Sequence, residues 1–363
     1  MVNTPKYQKI ILDITEKIRN GVFLPGRQIE QVSSLCEIYQ LSHVTVLRAL
    51  RELAETGVLL RKPGIGYFVS ELQEEKAPSC VGCFVRNLWP RQLDNYTNEI
   101  FCGIQQELAR RRLNIMQIPQ LGDALQREEL PGKEEIVRLI RQINPYVSGF
   151  IFDPRFDDDT VETILRHTGK PGVIIQRSSS LAIPCVIPEI PRTVEALFRL
   201  LLKMNYHNFL FLEFGYDVPT QNELAAVWED ERKKLPPECR CRVIHNSCLL
   251  PQEQFRECLA VESAELLKTG RTAVICCGDN TAREVVNILD SKGVHVPEDA
   301  GVVGFYGLAD AMWFKPNLST LKINTFAIGT TAAGLLADEI AGVKKFPPVV
   351  HRIKTEFVPG ETI

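Results

Sequence analysis

Residues 42–69 constrain the fold of this chain more than any other stretch, because they predict a helix followed directly by a hairpin. Ser42 precedes an apolar-periodic run, so its hydroxyl can cap the first turn of a helix. The positions at helical spacing predict one buried face: Val46, Ala49 or Leu50, and Leu53. Gly57 favours the end of this helix.

Two strand candidates follow the helix, at residues 58–60 and 67–69. They are joined by a basic turn that contains glycines and therefore permits a tight reversal, Arg61-Lys62-Pro63-Gly64-Ile65-Gly66. Two helices are predicted upstream, one from Pro5 to about Asn20 and one at about 31–39. Three helices and a basic hairpin indicate a winged helix-turn-helix, a DNA-binding fold.

Many residues that belong to one recognisable sequence pattern lie within the first seventy positions. They are Pro5-Lys6-Tyr7-Gln8-Lys9-Ile10, Gly21, Leu24-Pro25-Gly26, Leu35, Tyr39, Thr45-Val46, Arg48-Ala49-Leu50, Leu53, Gly57, Gly64-Ile65-Gly66 and Phe68-Val69. This pattern resembles the GntR family of bacterial transcription regulators. The resemblance implies that double-stranded operator DNA is the partner of this region.

The predicted DNA contacts lie on the third helix and the hairpin: His43, Val44, Thr45, Leu47, Arg48, Arg51, Arg61, Lys62, Gly64 and Gly66. The resembled family usually has arginine at position 43 and commonly has basic residues at positions 33 and 47. Losing these charges lowers the expected number of phosphate contacts. Val44 and Leu47 offer methyl groups to thymine instead, although the same side chains could contact a neighbouring subunit or lie free on the surface.

Charge is distributed unevenly along the 363 residues, whose formal net charge is −3. Residues 1–70 hold nine Lys and Arg against six Asp and Glu, so they carry +3 and the remainder carries −6. This asymmetry is typical of a small DNA-binding head on an acidic body. Residues 71–79 are acidic, polar and proline-containing, which predicts a linker between domains at 1–70 and 80–363.

The sequence favours a cytoplasmic location. It begins without a signal-peptide pattern and has no apolar run that could span a bilayer. We therefore expect the 11 cysteines to be reduced thiols. Cys239, Cys241, His245 and Cys248 have plausible ligand spacing, but no second Cys pair completes a zinc pattern. The sequence therefore predicts neither a metal nor a cofactor.

Short apolar runs alternate with amphipathic helices from Cys80 onward, which predicts an α/β fold with parallel sheets. The length suits two doubly wound parallel sheets in two lobes with a cleft between them. Eight strings carry a second resemblance: 81–85, 103–105, 147–151, 171–175, 205–210, 277–279, 293–299 and 302–305. They resemble the sensor domain of LacI/GalR regulators, a periplasmic binding protein-like fold. A GntR head on such a body is similar to the arabinose-responsive repressor subgroup.

Effector contacts in a two-lobed sensor come from loops at the carboxyl ends of the strands. Residues predicted there, or at the helix start beside them, are Trp89, Asp153, Arg177, Asp217, Asn222, Asp279 and Tyr306. Trp89 could stack on a sugar face, and the charged groups could bind hydroxyls. The alternative is that the tryptophan covers a helix end and the carboxylates cap helices.

Two positions depart from the resembled sensor pattern. The family usually has Asp after the Gly-Phe at 304–305, where this chain has Tyr306. It also commonly has arginine near the helix start that Gln221 and Asn222 occupy. These departures predict either a ligand unlike an ordinary monosaccharide or a sensor that no longer responds to ligand.

Three functions follow from the sequence. The first is a homodimeric, sugar-controlled repressor of carbohydrate uptake or catabolism genes. The second is a ligand-independent DNA-binding regulator whose body only dimerises. An enzyme is the third, and it is disfavoured because the chain lacks a G-x-S-x-G motif, a phosphate-binding glycine loop with lysine and a His-rich metal motif.

Overall fold

The computed structural model describes residues 6–70, 80–85, 95–117, 120–121, 130–308, 314–343 and 347–363. The predicted linker at 71–79 and the predicted sugar-stacking Trp89 lie outside these ranges. Contacts divide the chain into two compact units, Met1–Pro78 and Ser79–Ile363, which we call the head and the body.

The head contains three helices and an antiparallel hairpin. They are α1 (Lys6–Arg19), α2 (Val32–Tyr39), α3 (His43–Glu55), β1 (Leu59–Lys62) and β2 (Gly66–Val69). The residues predicted to be the inner face of α3 are all buried, in one core with Ile10, Ile14 and Leu35. Apolar periodicity therefore predicted the packing of the head correctly.

Both ends of α3 form as the sequence predicts. The Oγ of Ser42 accepts a hydrogen bond from the backbone N–H of Thr45 at 3.4 Å. The helix ends at Glu55, and Gly57 adopts a left-handed φ of +76°, where a side chain would be strained. These contacts fix where α3 starts and where the chain turns into the hairpin.

The body alternates strands and helices over most of its length. Its strands are β3 (Cys80–Phe84), β4 (Asn114–Met116), β5 (Val147–Phe152), β6 (Gly172–Ile175), β7 (Cys185–Glu189), β8 (Asn208–Leu212), β9 (Arg240–Ile244), β10 (Thr272–Ile275), β11 (Ala300–Tyr306), β12 (Ser319–Ile323) and β13 (Val350–Val358). Its helices are α4 (Asn95–Arg110), α5 (Lys133–Ile143), α6 (Asp158–Thr168), α7 (Ile190–Lys203), α8 (Pro219–Lys234), α9 (Gln252–Leu267), α10 (Asp279–Ser291) and α11 (Thr325–Ile340).

One long strand, β13, joins the two predicted sheets into a continuous order, β4-β3-β5-β6-β7-β13-β12-β11-β10-β8-β9. Residues 350–354 pair in parallel with β7, and residues 355–358 pair antiparallel with β12. We call the strands from β4 to β7 the first sheet and those from β12 to β9 the second sheet. All other strand pairings among the described residues of the body are parallel, as expected for a doubly wound fold.

The sequence interpretation missed the strands around this junction, β7, β12 and β13. β7 contains Pro188, which disfavours a strand assignment. β13 contains runs of polar residues in place of an apolar alternation, and every second side chain from Val350 to Glu356 is exposed. The sequence predicts the last helix at residues 330–341, but the helix begins earlier, at Thr325, because the side chain of Asn324 accepts from the N–H of Ala327 at 3.0 Å.

Helices α4 and α11 cross with their backbones almost in contact. A Cβ on Gly329 would lie 2.0 Å from the carbonyl O of Ile100, and one on Gly103 would lie 2.3 Å from the carbonyl O of Phe326. α11 follows β12 in the second sheet, yet it packs against β5, β6 and β7 in the first. The crossing therefore holds the chain where it passes from one sheet to the other.

No helix among the described residues combines the length and apolar character needed to cross a bilayer.

We expect Gly329→Ala to lower the free energy of unfolding by about 1–3 kcal/mol, because the new methyl group would overlap a backbone carbonyl. Gly334→Ala on the same helix is the matched control. Its Cβ would meet nothing nearer than Glu107 Oε1 at 3.7 Å, so this variant should gain about 0.5–1 kcal/mol. Urea denaturation measures both, and equal midpoints for the two variants would contradict the close crossing.

Candidate DNA-binding and effector sites

The outer face of α3 is open to solvent in the head. Val44 is 77% exposed, and His43, Arg48 and Arg51 are exposed as well. Leu47, which the sequence predicts to be a DNA contact, is half-buried against the head core. Thr45 is also half-buried, and its hydroxyl lies 2.9 Å from that of Ser42.

Two cations near this face stack on aromatic rings from other elements. The guanidinium of Arg48 lies 4.2 Å from the ring centroid of Tyr7 on α1. The ammonium of Lys62 on β1 lies 4.3 Å from the ring centroid of Phe68 on β2. Cation–π contacts of this kind stabilise the position of a charged side chain without neutralising it. Both charges stay available to an anionic partner.

The hairpin tip depends on two glycines and one amide. Gly64 has a φ of +74° and Gly66 a φ of +141°, backbone conformations that other residues rarely adopt. A Cβ on Gly66 would lie 2.6 Å from Nε2 of Gln28, which donates to the carbonyl O of Ile65 at 2.9 Å. Sequence reasoning missed Gln28 because it is distant along the chain. It also missed Ile65, which is 61% exposed at the tip between Arg61, Lys62 and Gly66.

Asp153 and Arg177 follow neighbouring strands of the first sheet. Asp153 is only 1% exposed, and Arg155 Nε donates to its Oδ1 at 2.8 Å. Arg177 donates to Asp158 Oδ1 at 2.6 Å and to the carbonyl O of Phe156. Asp153 therefore has its partner within its own loop, whereas these partners of Arg177 lie in the loop that follows β5 and at the start of α6.

The Nε atom of Arg177 is buried but has no hydrogen-bond partner among the described residues. Asp158 accepts three further hydrogen bonds beside it, from the backbone N–H of Ser180 and the hydroxyls of Ser179 and Ser180. Burial acts to raise the pKa of Asp158, but these hydrogen bonds and Arg177 outweigh it and hold the pKa well below its usual range. Asp158 is thus a fixed anion that positions the Arg177 guanidinium.

Asp279 lies beside the second sheet, at the start of α10, and is 1% exposed. It accepts hydrogen bonds from Thr320 Oγ1 and from the backbone N–H of Leu308, both at 2.6 Å. A Cβ on Gly304 would lie 2.2 Å from its Oδ1, so glycine is needed there. Burial raises the pKa of Asp279 to about 6. Its contacts join the start of α10 to the segment that follows β11 and to β12.

The two residues that depart from the resembled sensor pattern, Gln221 and Tyr306, contact each other. Gln221 is 4% exposed, and its Nε2 donates to the hydroxyl of Tyr306 at 2.6 Å and to the carbonyl O of Cys277 at 2.7 Å. Tyr306 adopts an unusual φ of +98°. Its ring lies 4.8 Å from that of Tyr96 on α4, in an edge-on contact between the halves of the body. A neutral hydrogen-bonded pair thus stands where the resemblance implies an arginine and an aspartate.

The predicted effector residues fall into separate groups. Asp279 and Tyr306 form one cluster with Gln221, while Asp153 and Arg177 lie on the first sheet. Asp217 and Asn222 are exposed and bond to each other at 2.7 Å. A groove of about 940 Å³ runs between α9 and α10 and a smaller one of about 380 Å³ adjoins β12, but neither contains a predicted effector residue.

The four residues with metal-ligand spacing do not form one site: Cys239, Cys241, His245 and Cys248. His245 Nδ1 lies 2.7 Å from Glu213 Oε2, and Cys248 lies beside Cys277. Within the described residues, no group of three or more His, Cys, Asp or Glu side chains could hold a metal ion.

Two family profiles match the chain. The profile described as "Bacterial regulatory proteins, gntR family" matches residues 6–69, and the profile "Periplasmic binding protein-like domain" matches residues 221–363. The first range lies in the head and the second in the body.

One curated relative matches nearly the whole chain. An arabinose metabolism transcriptional repressor of Geobacillus stearothermophilus is 23% identical over 376 aligned residues, which cover 96% of this chain and 95% of that protein. Similarity therefore extends across both units.

Solved structures establish the fold of the body. A LacI family transcriptional regulator from Enterococcus faecium with bound ribose has a TM-score of 0.58 and 19% identity, covering 78% of this chain and 98% of that one. The lac repressor dimer bound to operator and the anti-inducer ONPF has a TM-score of 0.62 and 16% identity, covering 79% and 94%. At these identities, the likeness concerns the fold alone.

Asp279 should make stability depend on pH. Its carboxyl has a raised pKa in the folded state, so its ionisation opposes folding as pH rises from about 4 to above 6. The free energy of unfolding of the unmodified chain, relative to Asp279→Asn, should therefore fall by up to about 3 kcal/mol over that range. Chemical denaturation at several pH values measures this difference. Parallel pH curves for the two proteins would contradict the raised pKa.

Proposed function

We propose that this chain, which carries a gntR-family DNA-binding domain in its head and a periplasmic binding protein-like domain in its body, is a transcription repressor controlled by a small carbohydrate. Its targets in this proposal are genes of carbohydrate uptake or catabolism. The single observation that carries the proposal is the similarity to an arabinose metabolism repressor across head and body together. The bound ribose of one structural neighbour is in keeping with a sugar effector.

The DNA contacts in this proposal are the exposed residues of α3 and the hairpin tip. Arg48, Arg51, Arg61 and Lys62 supply charge for phosphates, because all four side chains are exposed. Val44, with its exposed methyl groups, lies against thymine in the major groove. The left-handed turns at Gly64 and Gly66 let the tip approach the minor groove closely.

The remaining parts of the proposal concern assembly, location and chemistry. A two-fold operator requires two heads, so the regulator acts as a homodimer in the cytoplasm, where operator DNA is found. We assign it no enzymatic activity, because the relatives that it resembles are regulators. Among the described residues, the predicted polar groups are engaged with one another or with backbone rather than arranged as a nucleophile and base.

A ligand-independent regulator remains the second candidate, and one observation favours it. The hydrogen-bonded pair of Gln221 and Tyr306 occupies the positions where the resemblance implies charged sugar contacts. Tyr306 also fills space against Tyr96 of the other half of the body. If that arrangement excludes ligand, the body serves only to dimerise.

Replacing Arg48 or Lys62 by Ala should weaken binding to DNA from upstream of the chain's own operon. Each variant should also reduce the slope of log affinity against log salt by about 1, since one phosphate contact is lost. Fluorescence anisotropy at several salt concentrations measures both quantities. Lys292→Ala, an exposed charge on the body, is the control and should change neither. An unchanged slope in both head variants would refute the contact map.

Calorimetric titration with a panel of pentoses and hexoses separates the two candidates. Binding of one sugar, accompanied by a change in operator affinity, supports the sugar-controlled repressor. The double variant Gln221→Arg with Tyr306→Asp restores the charged pair that the resemblance implies and should bind a monosaccharide. If the unmodified chain binds none of the sugars and the double variant binds one, the result would favour the ligand-independent regulator.

A further inference from the structure

Two cysteines from distant parts of the sequence meet at the carboxyl edge of the second sheet. Cys277 lies between β10 and α10, and Cys248 lies in the turn that follows β9. Their Sγ atoms are 3.6 Å apart. All eleven cysteines of the chain fall within the described ranges and are free thiols.

Hydroxyl groups surround this pair of sulfur atoms. Ser247 Oγ lies 3.6 Å from the Cys277 sulfur, and Thr281 Oγ1 lies 3.7 Å from Cys277 and 3.8 Å from Cys248. Cys277 donates to the Thr281 hydroxyl, and that hydroxyl can in turn donate to Cys248, which favours the thiolate form of Cys248. Two sulfurs and two hydroxyls therefore form a polar cluster where β9, β10 and α10 meet.

The two cysteines are in unlike environments. Cys248 is exposed, whereas Cys277 is buried. A hydrogen bond from Cys277, supported by Thr281 and Ser247, lowers the pKa of Cys248 below its ordinary value. The pKa of Cys277 is raised by its hydrogen bond to Cys248 and by burial. At neutral pH the exposed sulfur is thus the thiolate and the buried one keeps its proton, as in an attacking and resolving pair.

We propose that Cys248 and Cys277 form a peroxide-oxidised thiol pair that closes into a reversible intramolecular disulfide. The separation must shrink from 3.6 Å to about 2.05 Å. Cys248 lies in a turn outside regular secondary structure, so it can make this movement without breaking a strand or helix. The oxidant is hydrogen peroxide or an alkyl hydroperoxide.

The chemistry balances in two steps. The Cys248 thiolate attacks the terminal peroxide oxygen and the O–O bond breaks, which gives a sulfenic acid and a leaving anion. This anion is hydroxide from hydrogen peroxide or alkoxide from an alkyl hydroperoxide, and it takes up a proton to become water or the alcohol. Cys277 loses its proton to solvent and attacks the sulfenic sulfur. The S–O bond breaks, water leaves, and the S–S bond forms. Two thiols thereby give two electrons to one peroxide, and a dithiol reductant reverses the reaction.

The backbone carbonyl of Cys277 connects this pair to the predicted effector cluster. It accepts from Gln221 Nε2, which also donates to the Tyr306 hydroxyl. Closing a disulfide at Cys277 therefore acts on a residue that holds Gln221 in place. A change in sugar affinity on oxidation rests on the proposed function, whereas the disulfide itself does not.

Peptide mapping of the full-length chain tests the disulfide. The reduced protein is treated with one equivalent of hydrogen peroxide, blocked with an alkylating reagent and digested without reduction. We expect one linked peptide pair that contains Cys248 and Cys277, and its loss in Cys248→Ser. In Cys277→Ser, the sulfenic acid should persist on Cys248 and be trapped by dimedone. Linkage between other cysteines, or no linkage, would overturn the proposal.

The reactivity of Cys248 gives a second measurement that needs no disulfide. At pH 7 its alkylation by iodoacetamide should be about tenfold faster than that of Cys102, an exposed cysteine on α4 without this cluster, because an ordinary thiol is only a few per cent ionised. Cys102→Ser is the control and should leave the linked peptide unchanged. Equal rates would refute the activated thiolate. Thermal melts of all variants identify any that fail to fold.

Sugar titration of the oxidised and reduced protein tests the connection to the effector cluster. A change in affinity that a dithiol reverses supports it, and equal affinities overturn it. If no sugar binds either form, the proposed function fails while the peptide map still decides on the disulfide.

Discussion

The backbone hydrogen bonds of β13 are the interaction on which the body depends. This strand pairs with β7 through residues 350–354 and with β12 through residues 355–358, so a single segment closes both sheets. The crossing of α4 and α11 supports the same junction from the side of the first sheet. In each half of the body, the strand next to the junction is therefore paired with β13. The candidate effector residues lie in both halves.

Local patterns predicted most of the fold because the residues that decide it are close in sequence. The capped start of α3, its buried face and the glycine hairpin all depend on neighbours within a few positions. Strands β7, β12 and β13 were missed because their stability comes from pairing with segments far away, and β7 even contains Pro188. Long-range pairing outweighs intrinsic strand propensity at such a junction.

The candidate sites were less predictable, since a side chain's partners are set by tertiary contacts. The order of strands placed Asp279 and Tyr306 correctly at strand ends, but it gave no reason to expect the bond between Tyr306 and Gln221. Arg177 was expected to face ligand, and the structure supplies it with Asp158 as a partner. Gln28 and Cys248 were not assigned these roles, because each acts on a residue at least 29 positions away.

The cation–π contacts of the head are relevant because its candidate DNA-binding surface carries few cations. Arg48 and Lys62 already rest on Tyr7 and Phe68, so much of their rotational freedom is gone before any DNA arrives. Immobilising a long side chain on binding otherwise costs about 0.5–1.5 kcal/mol. In the proposed complex with DNA, preorganisation of these two groups would offset part of what is lost with His43 and Leu47 in place of basic residues.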